Sequence, residues 1–208
     1  MIISMIKKII SNSLVILKKL ILTKFNKRKS GLYKYEGSLL NLSSNSYLEQ
    51  LIILNGEFES HITDLSKSII KKGEVVFDVG ANVGLHTVLF STLVGEEGKV
   101  IAFEPNPNNL KDLRLNLAIN GCNNVVIVEK ALADENKKYD FYQLTKSSFN
   151  RGDHSLAYTD EIKKLEKEGG IFKSDVNGIT LDTYCDKAEI RPTFLKMDIE
   201  GFEYFALK

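Results

Sequence analysis

The stretch Val75-Val76-Phe77-Asp78-Val79-Gly80-Ala81-Asn82-Val83-Gly84 decides the fold. Its first five residues form a short apolar run rich in β-branching, and two glycines then mark a turn. Leu85, Val88, Leu89 and Leu93 follow at helical spacing, so the segment reads as strand, glycine loop, helix. Lys99 to Phe103 begins a second such unit, with Glu104-Pro105-Asn106 as the turn. Asn106 then caps a helix that has Pro107 at its first position and Asn120-Gly121 at its end. Val125 to Val128 and Phe194 to Met197 supply a third and a fourth strand. Short buried strands alternating with helices predict an α/β fold: a parallel, Rossmann-like sheet with helices on both faces, and ligands gathered at the carboxyl ends of the strands.

Outward from this core the chain divides into three parts. Residues 1–30 are a basic arm, because the first 35 residues carry eight lysines and Arg28 but no acid before Glu36. Ser4, Lys7, Lys8, Ser11, Asn12, Lys18 and Lys19 recur near the helical period among Ile, Leu, Val and Met, which predicts an amphipathic helix. Such a helix suits a membrane interface on the cytoplasmic face and equally suits docking on its own domain. Lys7-Lys8 and Lys18-Lys19 interrupt it too often for a transmembrane span. Residues 31–72 read as a connector followed by helices around Tyr47, Leu48, Leu51 and Ile52, and around Ile62, Leu65, Ile69 and Ile70. Residues 73–208 carry the sheet. Between its third and fourth strands, β-like pieces at Lys138 to Leu144 and Gly178 to Leu181 flank a polar stretch, Thr145 to Asn177, that has a short helix near Asp160 to Lys167. A connection of that length reads as a lid facing a substrate.

Composition narrows the partners. With 208 residues and 43% apolar content the chain can fill a core. Beyond residue 35 it holds 19 basic against 27 acidic residues, a balance that argues against nucleic acid as a partner of the body. Cys122 and Cys185 stand far apart with no histidine cluster, the pattern of ordinary thiols in a reducing, cytoplasmic setting, and no metal site is expected.

The glycine loop bears on chemistry. A dinucleotide fingerprint spaces its glycines G-x-G-x-x-G and offers bare amides to a pyrophosphate. Here Gly80 and Gly84 are spaced G-x-x-x-G behind Asp78, an acid that would repel a pyrophosphate but suits a ligand with a sulfonium or ammonium group. Glu104, at the tip of the second strand, is placed to accept ribose hydroxyls. The pair points to S-adenosylmethionine as cofactor.

Phe77 to Thr87, Ile101 to Pro107 and Leu195 to Glu203 together resemble the FkbM family of methyltransferases, over about residues 73–208. The resemblance implies a class I methyltransferase fold that transfers a methyl group, commonly to an oxygen of a sugar or secondary metabolite, so the expected partner is a small-molecule or glycan acceptor. It implies Asp78, Gly80, Ala81, Asn82 and Gly84 as the donor loop, Glu104 as the ribose ligand, and Asn106, Lys130 and Ala131 near the adenine. Asp198 closes the fourth strand beside the expected sulfonium. Asp198, Glu200 and His154 are, in that order, the candidates for electrostatic or base work. The family sheet has seven strands, and the sequence stops at Lys208 after the fourth, so a truncated sheet is expected. Two rival readings stay open: a nucleotide-dependent oxidoreductase or epimerase using NAD, and a non-catalytic membrane-peripheral protein.

Overall fold

The computed structural model describes residues 29–144 and 154–208. The arm, apart from its last residues, and the stretch with Ser147, Ser148 and Arg151 lie outside the described residues. Central to the molecule is a four-stranded, wholly parallel sheet of β3 (Val75–Val79), β4 (Lys99–Phe103), β5 (Val125–Val128) and β10 (Phe194–Met197), in the order β10-β3-β4-β5. All four strands fall where the apolar runs predict them.

Alternation along these strands sorts the side chains. Val76 faces helix α3 (Leu85–Val94) and packs with Leu89, Phe90 and Val100, whereas Phe77, Val79, Ile101 and Phe103 face the opposite side, where Cys185 of α6 (Leu181–Ala188) and Ala206 of α7 (Glu203–Ala206) cover them. By the same two-residue period Asp78 lies on the α3 side, and so do Phe194, Lys196 and Asp198 at the other edge of β3. Parallel register sets Lys196 opposite Asp78. Helix α4 (Pro107–Ile119) begins as predicted, with the Asn106 side chain accepting from the Asn108 amide at 3.0 Å and proline in its first turn.

The segment read as a connector is a β-hairpin. β1 (Gly31–Tyr35) and β2 (Ser38–Leu42) pair antiparallel around Glu36 and Gly37, both at positive φ (48° and 82°), as a tight hairpin turn requires. Tyr35, Leu40 and Leu42 bury themselves with Ile52 and Ile53 of α1 (Tyr47–Asn55), Val88 of α3 and Leu113 of α4. Side chains of α4 satisfy its edge: Asn116 Oδ1 accepts from the Asn41 amide at 2.7 Å, and Asn120 bonds both the amide and the carbonyl of Leu39. Helix α2 (Ser60–Ile69) then leads into β3.

The long excursion before β10 also differs from its sequence reading. A second sheet, ordered β6-β9-β7-β8, is built from Ala131–Leu132, Ile171–Ile179, Lys138–Leu144 and His154–Ser155. Strand β9 is nine residues long and takes up the last part of the polar stretch as the full antiparallel partner of β7. The short helix α5 (Asp160–Lys167) lies where predicted, and Leu181 starts α6 rather than ending a strand.

Candidate active site

Strand β3 has β4 on one side and β10 on the other, so the chain direction of its crossovers reverses there, and a crevice opens at the strand tips. A cleft of about 310 Å³ occupies this point. Its wall includes Gly80, Ala81, Asn82, Glu104, Lys130, Ala131, Asp198 and Glu200 from the residues singled out in the sequence. Glu59 and Lys196, which the sequence reading did not single out, stand among them, as does His86, which it ranked below His154 for base work.

Three of the singled-out residues serve the cleft from outside its wall. Asp78 is fully buried beneath α3, where its Oδ2 accepts from Thr87 Oγ1 at 2.6 Å and its Oδ1 lies 3.8 Å from Lys196 Nζ without a hydrogen bond. It braces the loop against the helix, because strand alternation turns its side chain toward α3. Gly84 has φ 91°, and a Cβ there would come within 2.6 Å of Leu113 Cδ1, so its role is close packing of the loop on α4. Asn106 is a buried helix cap whose amide group reaches Gln143 at 3.4 Å. His154 is placed through its backbone alone, in β8 opposite Gln143.

Gly80 is demanded by contact. At φ 81° its Cα faces the end of β10, and a Cβ would sit 2.0 Å from the carbonyl oxygen of Asp198. The loop amides are already engaged: Gly80 and Ala81 donate to the Phe103 carbonyl at 3.0 Å, and Asn82 donates to Glu104 Oε2 at 2.8 Å. These amides lock the tips of β3 and β4 together.

Glu104 is 4% exposed and also accepts from the Asn106 amide at 2.8 Å and, weakly, from Asn109 Nδ2 at 3.4 Å. Burial pushes its carboxyl up to about 7, against the lowering effect of the backbone amides that it accepts. The turn Asp198 to Gly201 is fixed from two sides. Glu203 Oε1 accepts from the Ile199 amide at 2.9 Å, and Ser155 Oγ donates to the Glu200 carbonyl at 2.8 Å, which ties the second sheet to the cleft. Lys196 Nζ lies between Asp78 and Asp198, 3.6 Å from the latter, and donates to the Gly80 carbonyl at 3.4 Å. Register could have flagged Lys196, which stands two residues before Asp198 on one strand face; nothing local could have flagged Glu59.

The wall therefore holds the carboxyls of Glu59, Glu104, Asp198 and Glu200 against the cations of Lys130 and Lys196. An acid-rich cleft fits a cationic adenosyl ligand, and its carboxyls oppose a pyrophosphate by charge. Among the described residues no group of three His, Cys, Asp or Glu could hold a metal ion, and no helix is long and apolar enough to cross a membrane.

The family model described as the Methyltransferase FkbM domain matches residues 78–208. The chain belongs to this methyltransferase family. It carries a methyltransferase domain of the S-adenosylmethionine-dependent class, with the α/β parallel sheet of class I. The model for protein-L-isoaspartate(D-aspartate) O-methyltransferase also matches, over residues 6–140. The hexuronic acid methyltransferase AglP of Haloferax volcanii is 27% identical over 139 residues, which cover 66% of this chain and 50% of that protein. The protein-L-isoaspartate O-methyltransferase of Methanococcus maripaludis is 32% identical over 110 residues, 51% of this chain and 49% of its own length. The chain thus spans about half the length of the curated relatives it matches. A crystal structure of an S-adenosylmethionine-dependent methyltransferase from Aquifex aeolicus aligns at 25% identity over 41% of this chain and 47% of its own, with a TM-score of 0.33.

Proposed function

We propose that the protein transfers a methyl group from S-adenosylmethionine to a hydroxyl of a sugar, polysaccharide or secondary metabolite. The observation that carries the reading is the joint between the two strand tips, where the Asn82 amide bonds Glu104 and holds a carboxylate in the wall of an acid-rich cleft. A carboxylate has about four lone-pair positions, and Glu104 has committed three, one of them to the long contact from Asn109. A ribose hydroxyl takes the fourth or displaces Asn109. Lys130 and Ala131 flank the adenine end, and Asp198, exposed at the end of β10, faces the cationic end of the donor together with Glu200. The donor supplies an already activated methyl group, so the protein's share is alignment and exclusion of water.

The sugar-modifying relative supports a carbohydrate acceptor. Calorimetric titration with S-adenosylmethionine, S-adenosylhomocysteine and NAD tests the reading. The first two should bind and NAD should not; binding of NAD alone would return the protein to the oxidoreductase class.

A further inference from the structure

The cleft has a second chemical face, built from α1, the loop before α2, and the start of α3. Leu48, Leu51 and Phe58 make it apolar, and Glu59 and His86 are its polar groups. His86 is 5% exposed, and its Nε2 is buried with no hydrogen-bond partner, 3.8 Å from Glu59 Oε2. A buried imidazole nitrogen left unbonded is costly unless something else satisfies it. Glu59 is equally unusual. It occupies the N-cap of α2 at φ 46°, a conformation that disfavours a residue with a Cβ, and its side chain makes no capping bond. Local folding thus gains nothing from a glutamate there, whereas its carboxylate facing His86 does have a use.

We propose that this face is the acceptor subsite, and that His86, held opposite the Glu59 carboxylate, takes the proton from a neutral polyhydroxyl acceptor as its oxygen is methylated. The inference rests on the methyl-transfer reading. As the acceptor oxygen bonds to the methyl carbon, the carbon–sulfur bond breaks and its electron pair stays with sulfur. The hydroxyl proton passes to the imidazole and later to solvent, while Glu59 stabilises the imidazolium. Burial holds the His86 imidazole below its ordinary pKa, which keeps it unprotonated and ready near neutral pH. Asp78 and Asp198 oppose that effect, and Lys196 and His61 reinforce it. Phe58 offers the flat apolar surface against which the carbon face of a pyranose packs. The preference for a neutral acceptor follows from charge: Lys196 offsets only one of the two carboxyls of Asp78 and Asp198, and Glu59 adds another, so acids are in excess around this face. An anionic acceptor would be repelled.

The test presents labelled S-adenosylmethionine with neutral methyl hexopyranosides and the corresponding methyl hexuronides, using the wild type, His86→Asn and Glu59→Gln. Label should pass to neutral glycosides in preference to uronides. His86→Asn should lower kcat at least about 100-fold, with KM and S-adenosylhomocysteine affinity within about threefold of wild type. Glu59→Gln, which keeps the imidazole, should lose roughly tenfold, and the inflection in the kcat pH profile should disappear in His86→Asn alone. Wild-type protein that binds no S-adenosylhomocysteine sinks the methyltransferase reading and this inference with it. Donor binding accompanied by no neutral glycoside methylated, by uronides preferred, by a wild-type rate in His86→Asn, or by a tenfold loss of donor affinity in either variant overturns this inference alone.

Discussion

Replacing Glu104 by glutamine changes one oxygen to an NH2 group at a position where every neighbour is a donor. The amides of Asn82 and Asn106, both at 2.8 Å, and Nδ2 of Asn109 at 3.4 Å now face it. Either orientation of the new amide sets a donor against a backbone N–H, and a buried donor left unmet costs about 1–3 kcal/mol. The ribose also loses an ionised acceptor, worth about 1.5–3 kcal/mol, which lowers S-adenosylhomocysteine affinity by roughly 10- to 150-fold. The pH dependence is equally specific. Burial pushes the folded carboxyl up to about 7 from its ordinary 4.5, so between these values the unfolded chain has released a proton that the folded chain keeps. Stability from this group is therefore fully present below the unfolded value and declines as pH rises toward 7, by about 3 kcal/mol in all. Glu104→Gln abolishes that decline. Ligand affinity runs the other way: the ionised form accepts the ribose hydroxyl, so wild-type affinity should weaken as pH falls below 7 and the variant should not follow. Urea unfolding and calorimetry from pH 5 to 8 measure both. A variant that binds within threefold of wild type, or a wild-type affinity flat across this range, would refute the reasoning.

Two further substitutions probe the frame of the site. Gly80→Ala should cost more than about 3 kcal/mol, since its Cβ would fall 2.0 Å from a backbone oxygen at a φ of 81°. Gly121→Ala, at φ 63° with open space around it, should cost about 1–2 kcal/mol, and equal melting temperatures for the two would show that φ alone governs these glycines. Thr87→Val keeps the shape of the side chain but leaves Asp78 with neither oxygen hydrogen-bonded, so unfolding free energy should fall by about 1–3 kcal/mol. An unchanged denaturation midpoint would mean that Lys196 alone suffices for Asp78.

The sequence by itself determined the elements whose causes are local. β3, β4, β5 and β10 are short apolar runs with no competing period, the Asn106-Pro107 start of α4 is written in adjacent residues, and three motifs in order carry the family. It also named eight residues that line the cleft, because residues at the tips of parallel strands share one edge whatever the details of packing. Tertiary structure alone decided which side each side chain took. Asp78 turns away from the cleft because the strand period places it under α3, and Gly84 owes its absent Cβ to Leu113 on another helix. The hairpin of β1 and β2 escaped notice because its edge is satisfied by Asn116 and Asn120, some eighty residues further on. Glu59 faces His86 across a gap of 27 positions in the chain. Contacts of that range follow from how packed elements meet, which no local window of residues contains.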